Sequence, residues 1–407
     1  MRHLLFLSGF ALITLSSPLA GSGLTPTVAV GLFSGQRVIA CTITSQGPLT
    51  LHDERGDRLA SFPAAAKLKA ETEAAAVVIS CAQPRGGGRS AAYVISAPAP
   101  IQVALDGRNA RAYRGSIAIS ARSDRLMLIN RVGLEDYLRG VLASEIPASF
   151  APEALRAQAM AARTYALSAV GRHRTEGFDL CDAPHCQVYT GVSGEDARTD
   201  AAVRDTAGLI ITYQGKPIHA VYHDCCGGRT AGNETAWSGS QPLPYLRPVP
   251  DVEGGAALCA HSPRAVWTRQ IPQLSLASAL AQFGVRAPIS AIEAGPRDEN
   301  GRPKEFRISG PQGEVTILAG ALRASANSAL GWNTLPSADF TAAPNGDSIV
   351  FAGRGSGHGV GLCQWGANAM AKAGRTAAEI LAHYYAGTRV EPMSDEVAHR
   401  LGRPTTG

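Results

Sequence analysis

Between about Thr27 and Leu128 one pattern recurs: TVAVGLF, QRVIACTI, GPLTLHDERG, AAVVIS, AAYVIS, IQVAL, GSIAIS and RLMLIN. Each is a short apolar alternation bounded by Gly, Asp or Pro. A period of two puts alternate side chains on one face, and the bounding turn residues limit the length, so these runs are expected as β-strands. They predict a β-rich N-terminal region over 24–125. PRGGGRS, at 84–90, reads as a flexible connector, and Cys41 with Cys81 as a disulfide staple within the region.

The period then changes. In VGLEDYLRGVLASEIP, Leu134, Leu138, Val141 and Leu142 recur at helical spacing, and Pro147 is expected to end the helix. A second helix is expected after Pro152, with Leu155, Ala159, Ala162 and Ala166 on a face of small side chains that permits close packing. Further on, GLIITYQ and PIHAVYH read as strands, Asp224 to Pro250 as a Gly/Pro-rich loop, and Ile271 to Phe283 as a helix. EFRISG and EVTILAG follow as strands, then QWGANAMAKAG and AAEILAHYYAGTRV as helices. The expected fold class is α+β: a β-rich region, a helix-and-sheet domain over 126–392, and a tail at 393–407.

The first residues, MRHLLFLSGFALITLSSPLAGSG, combine a basic start, a short apolar run and small residues near Ala20, which predicts a signal peptide over 1–20. Export to the periplasm or cell envelope is therefore expected. Nothing later offers roughly 18 uninterrupted apolar residues, so no membrane-spanning segment is expected in the mature chain. At 407 residues, 45% hydrophobic and 17% charged, the chain can bury a large core. Its net charge of +5 is spread along the sequence, which argues against nucleic acid as a partner. Eight cysteines in an exported chain make disulfides an expectation, with connectivity left open.

No Walker loop, HExxH helix or G-x-S-x-G elbow occurs, so the usual signatures of phosphate transfer, zincin proteolysis and α/β-hydrolase chemistry are missing. Polar islands remain. Glu145 stands between Leu142 and Ile146–Pro147, where lost solvation would raise its pKa and let it hold a proton near neutrality; a capping or ion-paired role is the plainer alternative. In GRGSGHGVGLCQWGA, glycines around His358 allow close backbone approach to a ligand, while Gln364 and Trp365 offer an amide and a flat apolar face. A tight turn with Trp365 in the core is the competing reading. Cys181, His185 and Cys186 have the ligand types of a zinc site, with His173 or His223 to complete it, against a disulfide. Cys225 or Cys226 with Cys259 form a disulfide across the long loop or, together with Cys363, bind metal.

EIPASFAPEALRAQAMAARTYA, CDAPHCQVYTG, YHDCCGGRT and GHGVGLCQWGANAMA…AAEILAHYYAGT together resemble, in order, the motifs of the stage II sporulation protein D family, which includes the amidase-enhancer proteins. The resemblance spans about Val28 to Val390. It implies a peptidoglycan-acting domain in which Glu145, in the E-[MI]-P motif, is the catalytic group of a lytic transglycosylase. Such enzymes cleave between N-acetylmuramic acid and N-acetylglucosamine and leave a 1,6-anhydro ring. It implies zinc at Cys181, His185 and Cys186, peptide-stripped glycan strands as substrate, and a glycan cleft formed with Gln187, His223, Gly357, His358, Gln364 and Trp365. The alternative it carries is a non-catalytic wall-binding enhancer of an N-acetylmuramoyl-L-alanine amidase. A water-using glycosidase with Asp136, Glu153 or Asp224 as second carboxylate is a third reading. YHDCCGG departs from the family pattern, placing Asp224, Cys225 and Cys226 where small hydroxyl residues are common.

Overall fold

The computed structural model describes residues 26–401 apart from Ser238 and Gln312. The expected signal peptide and residues 402–407 of the expected tail lie outside this range; within the tail, Asp395–Leu401 is helical. Helices and strands both contribute, and the fold is α+β.

The N-terminal alternations fold as read. The strands are β1 (Thr27–Gly31), β2 (Ala40–Ser45), β3 (Leu49–His52), β4 (Arg58–Phe62), β5 (Leu68–Glu73), β6 (Ala76–Ala82), β7 (Arg85–Ser90), β8 (Ala92–Ser96), β9 (Ile101–Ala104), β10 (Arg111–Tyr113), β11 (Ser116–Arg122), β12 (Arg125–Gly133) and β13 (Leu180–Cys181). They form a seven-stranded sheet in the order β13-β1-β12-β11-β8-β3-β4 and a six-stranded sheet in the order β10-β9-β2-β5-β6-β7. Ile43, Leu68, Ile79 and Val103 from one sheet and Leu49, Ile95, Ile117 and Leu128 from the other are buried in one shared core. Alternation places these apolar side chains on the inner faces, so burial selects the register.

Two expectations in this region are corrected. PRGGGRS contains strand β7, paired along its length with β6. Composition suggested a connector, but the absent side chains let the backbone sit close: a Cβ on Gly87 (φ +143°) would stand 1.9 Å from the Ile79 carbonyl oxygen. Cys41 and Cys81 are both unbonded. They lie on β2 and β6 with β5 between them, and two strand spacings of roughly 4.8 Å exceed the reach of a disulfide.

Helix α1 (Leu134–Glu145) buries Leu134, Tyr137, Leu138, Val141 and Leu142. It stops where Pro147 forces the preceding Ile146 into extended backbone, φ −134° and ψ 140°. Helix α2 (Pro152–Ser168) is buried almost all round, from Ala154 to Ala166, as the central element of the domain. Its alanines admit α1, α3 (Ala197–Asp205) and the helices Gln364–Lys372 and Ala377–Tyr384. Arg163, completely buried on α2, donates to both carboxylate oxygens of Glu135 at 2.8 and 2.6 Å and to the carbonyls of Val203 and Leu209.

A second core lies within residues 266–354, where Phe306 and Phe340 stack with ring centroids 4.3 Å apart beside Trp267 and Phe351. The helix expected over Ile271–Phe283 begins only at Gln273, because Pro272 closes the strand Val266–Pro272. Arg302 ties the two cores, donating to the carbonyls of Cys226 and Arg229 at 2.9 and 3.0 Å.

Candidate active site

A cleft of about 1300 Å³ opens where these two cores meet, lined by Glu145, Tyr222, Arg323, Trp332, His358 and Trp365 among others. Glu145 ends α1 and faces it. Its Oε1 accepts the Val188 N–H at 2.6 Å, and Oε2 has no hydrogen-bond partner among the described residues. Although Glu145 keeps some exposed surface, the crowding of its carboxyl by protein pushes its pKa from 4.5 up to about 7, against the opposing pull of the Val188 N–H. The group can hold or release a proton near neutrality.

Gln364, at the start of the helix Gln364–Lys372, is nearly buried. Its Nε2 donates to the Glu145 carbonyl oxygen at 3.0 Å. Trp365 packs edge-on against Phe150 and donates from Nε1 to Asp224 Oδ1 at 3.1 Å. The other Asp224 oxygen accepts from Arg264 at 3.0 Å, so Asp224 is engaged in holding the wall. Glu153 is paired with Arg156 and accepts the Ala377 N–H, and Asp136 lies beside Arg114 and Arg139. Neither of these two lines the cleft.

Two histidines also line the cleft, 5.6 Å apart between ring centroids. His223 Nδ1–H donates to the Val360 carbonyl at 3.1 Å, and its Nε2 is buried without a partner. His358 Nδ1 accepts the Val360 N–H at 3.1 Å, which leaves Nε2 as the protonated nitrogen of the neutral ring. Burial lowers the pKa of His223 to about 4 and that of His358 well below its ordinary value. Both rings are therefore neutral at pH 7; the Tyr222 main chain engages the remaining N–H of His358, and His223 Nε2 is left as an unpartnered acceptor. Gly357 permits the approach: its φ is +103°, and a Cβ there would stand 2.8 Å from that of His223.

At one end of the cleft, His173, Cys181, His185 and Cys186 bring their ligand atoms within 4.8 Å of one another. Cys186 Sγ lies 3.4 Å from His173 Nε2 and 3.6 Å from His185 Nδ1. His173 Nδ1 is held by Glu176 at 2.6 Å, a carboxylate–histidine arrangement that fixes the tautomer and frees Nε2 to bind a metal. A hydrogen bond from the Cys181 thiol lowers the Cys186 pKa to about 6. The donor set of two sulfurs and two imidazoles fits a tetrahedral zinc ion. β13 pairs Cys181 with Gly31 of β1, so the cluster is anchored to the N-terminal sheet.

The sequence profile described as Stage II sporulation protein matches residues 122–213, a segment containing Glu145 and this cluster. The Stage II sporulation protein D of Bacillus subtilis is 32% identical over 285 residues, 64% of this chain and 75% of the relative. The chain belongs to the stage II sporulation protein D family. An uncharacterized protein of Brachyspira hyodysenteriae is 32% identical over 280 residues, covering 68% of this chain and 72% of its own. The amidase enhancer of B. subtilis is 27% identical over 299 residues, covering 62% of this chain and 40% of the enhancer.

Within this sporulation protein D fold, Glu145, His223, Gly357, His358, Gln364 and Trp365 all line one cleft. Gln187 does not. It is buried behind the wall, donating to Tyr222 Oη at 3.0 Å and accepting from Tyr137 Oη at 3.1 Å, so it positions Tyr222 instead of meeting a ligand. Sequence reading missed Trp332, which is 78% exposed at the cleft, as well as Trp237 and Arg323. Trp332 did carry a signal: an aromatic set between Gly331 and Asn333, both with positive φ, is a large apolar side chain in a turn.

Proposed function

We propose that the chain is a peptidoglycan lytic transglycosylase in which Glu145 serves as general acid and then general base. One observation carries this reading: Glu145 is the cleft carboxyl free of an ion pair, with a pKa near 7. As the acid, it gives its proton to the oxygen leaving with N-acetylglucosamine. As the base, it takes the proton of the muramic C6 hydroxyl while O6 bonds to C1, closing the 1,6-anhydro ring. The proton count returns to its start, and no water or second carboxylate is consumed. Glycosidases that activate water need a second carboxylate, and Asp136, Glu153 and Asp224 are all engaged elsewhere.

Neutral His223, whose Nε2 is an unpartnered acceptor, suits a sugar hydroxyl or acetamido N–H. Trp332 and Trp365 supply apolar faces for pyranose rings. Arg323, without a carboxylate partner among the described residues, suits the lactyl carboxylate that a peptide-stripped muramic acid exposes. His173, Cys181, His185 and Cys186 would hold a zinc ion, whose chemistry there is to cross-link the loop that carries Val188. On this reading the chain works outside the cytoplasm, on the wall.

The test is mass spectrometry of intact and peptide-stripped glycan strands incubated with the protein and with Glu145→Gln. Anhydro-muramic ends that disappear in the variant are expected; reducing muramic ends would show hydrolysis and overturn the mechanism. The amidase-enhancer relative supports a second reading, a wall-binding partner of an amidase. That reading predicts no glycan products and equal stimulation of an amidase by the unaltered chain and Glu145→Gln.

A further inference from the structure

Behind the cleft wall a second group of ligand-type side chains converges. The Sγ atoms of Cys226, Cys259 and Cys363 and a carboxylate oxygen of Asp251 all lie within 4.8 Å of one another, and all four residues are fully buried. They come from three separate segments: the turn after Tyr222–His223, the loop around the hairpin Val252–Glu253 and Ala256–Ala257, and the residue preceding the helix Gln364–Lys372.

The spacing distinguishes a metal site from a disulfide. Cys226 Sγ and Cys259 Sγ are 3.6 Å apart. A disulfide requires about 2.05 Å, whereas a tetrahedral site with Zn–S bonds of about 2.3 Å has sulfur–sulfur edges of roughly 3.8 Å. Main-chain N–H groups point at the sulfurs, as suits thiolate ligands: Cys226 and Gly366 donate to Cys363 Sγ at 3.3 and 3.4 Å, and Gly228 to Cys226 Sγ at 3.3 Å.

Asp251 supplies the second argument. It has no solvent exposure and no arginine or lysine partner among the described residues. Cys226 Sγ lies 2.9 Å from Oδ2; Tyr384 Oη donates to Oδ1 at 2.7 Å, and His383 Nε2 stands 3.6 Å away. A buried carboxylate needs a cation, and a divalent ion among the three sulfurs would supply it. A Cys226–Cys259 disulfide would leave both Asp251 and Cys363 uncompensated. Cys225 adjoins the set, its thiol interacting with that of Cys259 and directed to the Cys259 carbonyl at 3.8 Å, but it is not one of the four converging ligand atoms.

We propose that Cys226, Cys259, Cys363 and Asp251 bind a structural zinc ion, separate from the histidine-containing cluster. Four protein ligands close the coordination sphere, so the ion acts as a cross-link, and the thiol protons leave to solvent as it binds. The cross-link joins the segments that carry Asp224, Gln364 and Trp365.

The test uses the full chain carrying His185→Ala and Cys186→Ser, which dismantle the first cluster. Elemental analysis is expected to find about one zinc per chain, with zinc-edge X-ray absorption reporting roughly three sulfurs and one oxygen. Adding Asp251→Asn and Cys259→Ser should remove that zinc. A folded, zinc-free parent variant, or a non-reducing peptide map containing a cross-link from Cys259 to Cys225 or Cys226, overturns the site. If the variants do not fold, the unaltered chain decides: an average above two sulfurs per zinc supports the second site, and an average of about two overturns it.

Discussion

The side-chain amide of Gln364 donates to the main-chain carbonyl of Glu145 at 3.0 Å, joining residues 219 apart in sequence. α1 ends at this point, so the carbonyl has no partner in a following turn and Gln364 supplies one. The helix Gln364–Lys372 thereby sets where the Glu145 backbone lies. Gln364→Ala is expected to cost about 1 kcal/mol of stability and to lower kcat roughly tenfold with little change in KM, as suits a positioning residue. Steady-state turnover of peptide-stripped glycan, with thermal denaturation alongside, checks both.

Glu145 must be protonated to begin the proposed reaction. With its folded pKa near 7, kcat/KM should fall about tenfold per pH unit above roughly pH 7. Stability follows the same proton. The folded-state pKa lies above the unfolded value of 4.5, so the folded state binds the proton more tightly, and stability is lost as pH rises from about 4.5 to 7. Glu145→Gln, which stays neutral, should be more stable than the unaltered chain above pH 7, by up to about 3 kcal/mol. Denaturant unfolding of both proteins at pH 5 and pH 8 measures the difference, and a difference independent of pH would contradict it.

Trp332 is exposed at the cleft, and its role is expected to be sugar stacking. Trp332→Ala should raise KM about tenfold on glycan strands while kcat holds, because a platform distant from the reacting bond binds ground and transition states alike. Isothermal titration with short glycan fragments provides a direct check. An unchanged KM would remove Trp332 from the binding surface.

Arg163 and Glu135 form a two-pronged pair at the centre of the helical layer. Arg163→Met strands the Glu135 carboxylate and should destabilise the protein by about 3 kcal/mol. Glu135→Gln combined with Arg163→Met should recover part of that loss. Thermal melts of the two single variants and the double variant measure the coupling.

β2, β6, β8, β11 and β12 were legible because buried side chains alternate with more exposed ones along them, which writes a period of two into the sequence. β4, β5 and β10 are short or polar and were not read. α1 was legible because a proline ends it. His185, Cys181 and Cys186 could be grouped because they are near neighbours in the chain, whereas Asp251 joins Cys226, Cys259 and Cys363 only through tertiary folding. Arg323 and Trp332 reach the cleft from the second core, and no local pattern records that approach. Glycine-rich β7 was misread because its pairing comes from close backbone approach, which leaves no hydrophobic signature. Gln187 shows the converse: it sits in a motif-like stretch but faces inward, and chain position alone does not say which side of a wall a side chain occupies.

The pairing of β1 with both β12 and β13 bears on how this protein can be cut. A fragment trimmed to the start of the profile match at residue 122 would retain β12 but lose β1 and nearly all of β11, its partners on both sides. Two raw strand edges and an uncovered apolar face would result, conditions that favour edge-to-edge aggregation. The Leu180–Cys181 segment would lose β1, its paired strand, at the same stroke. The stretch that the profile matches is therefore shorter than one that keeps β12 paired on both edges, and expression of that segment by itself is expected to yield insoluble protein.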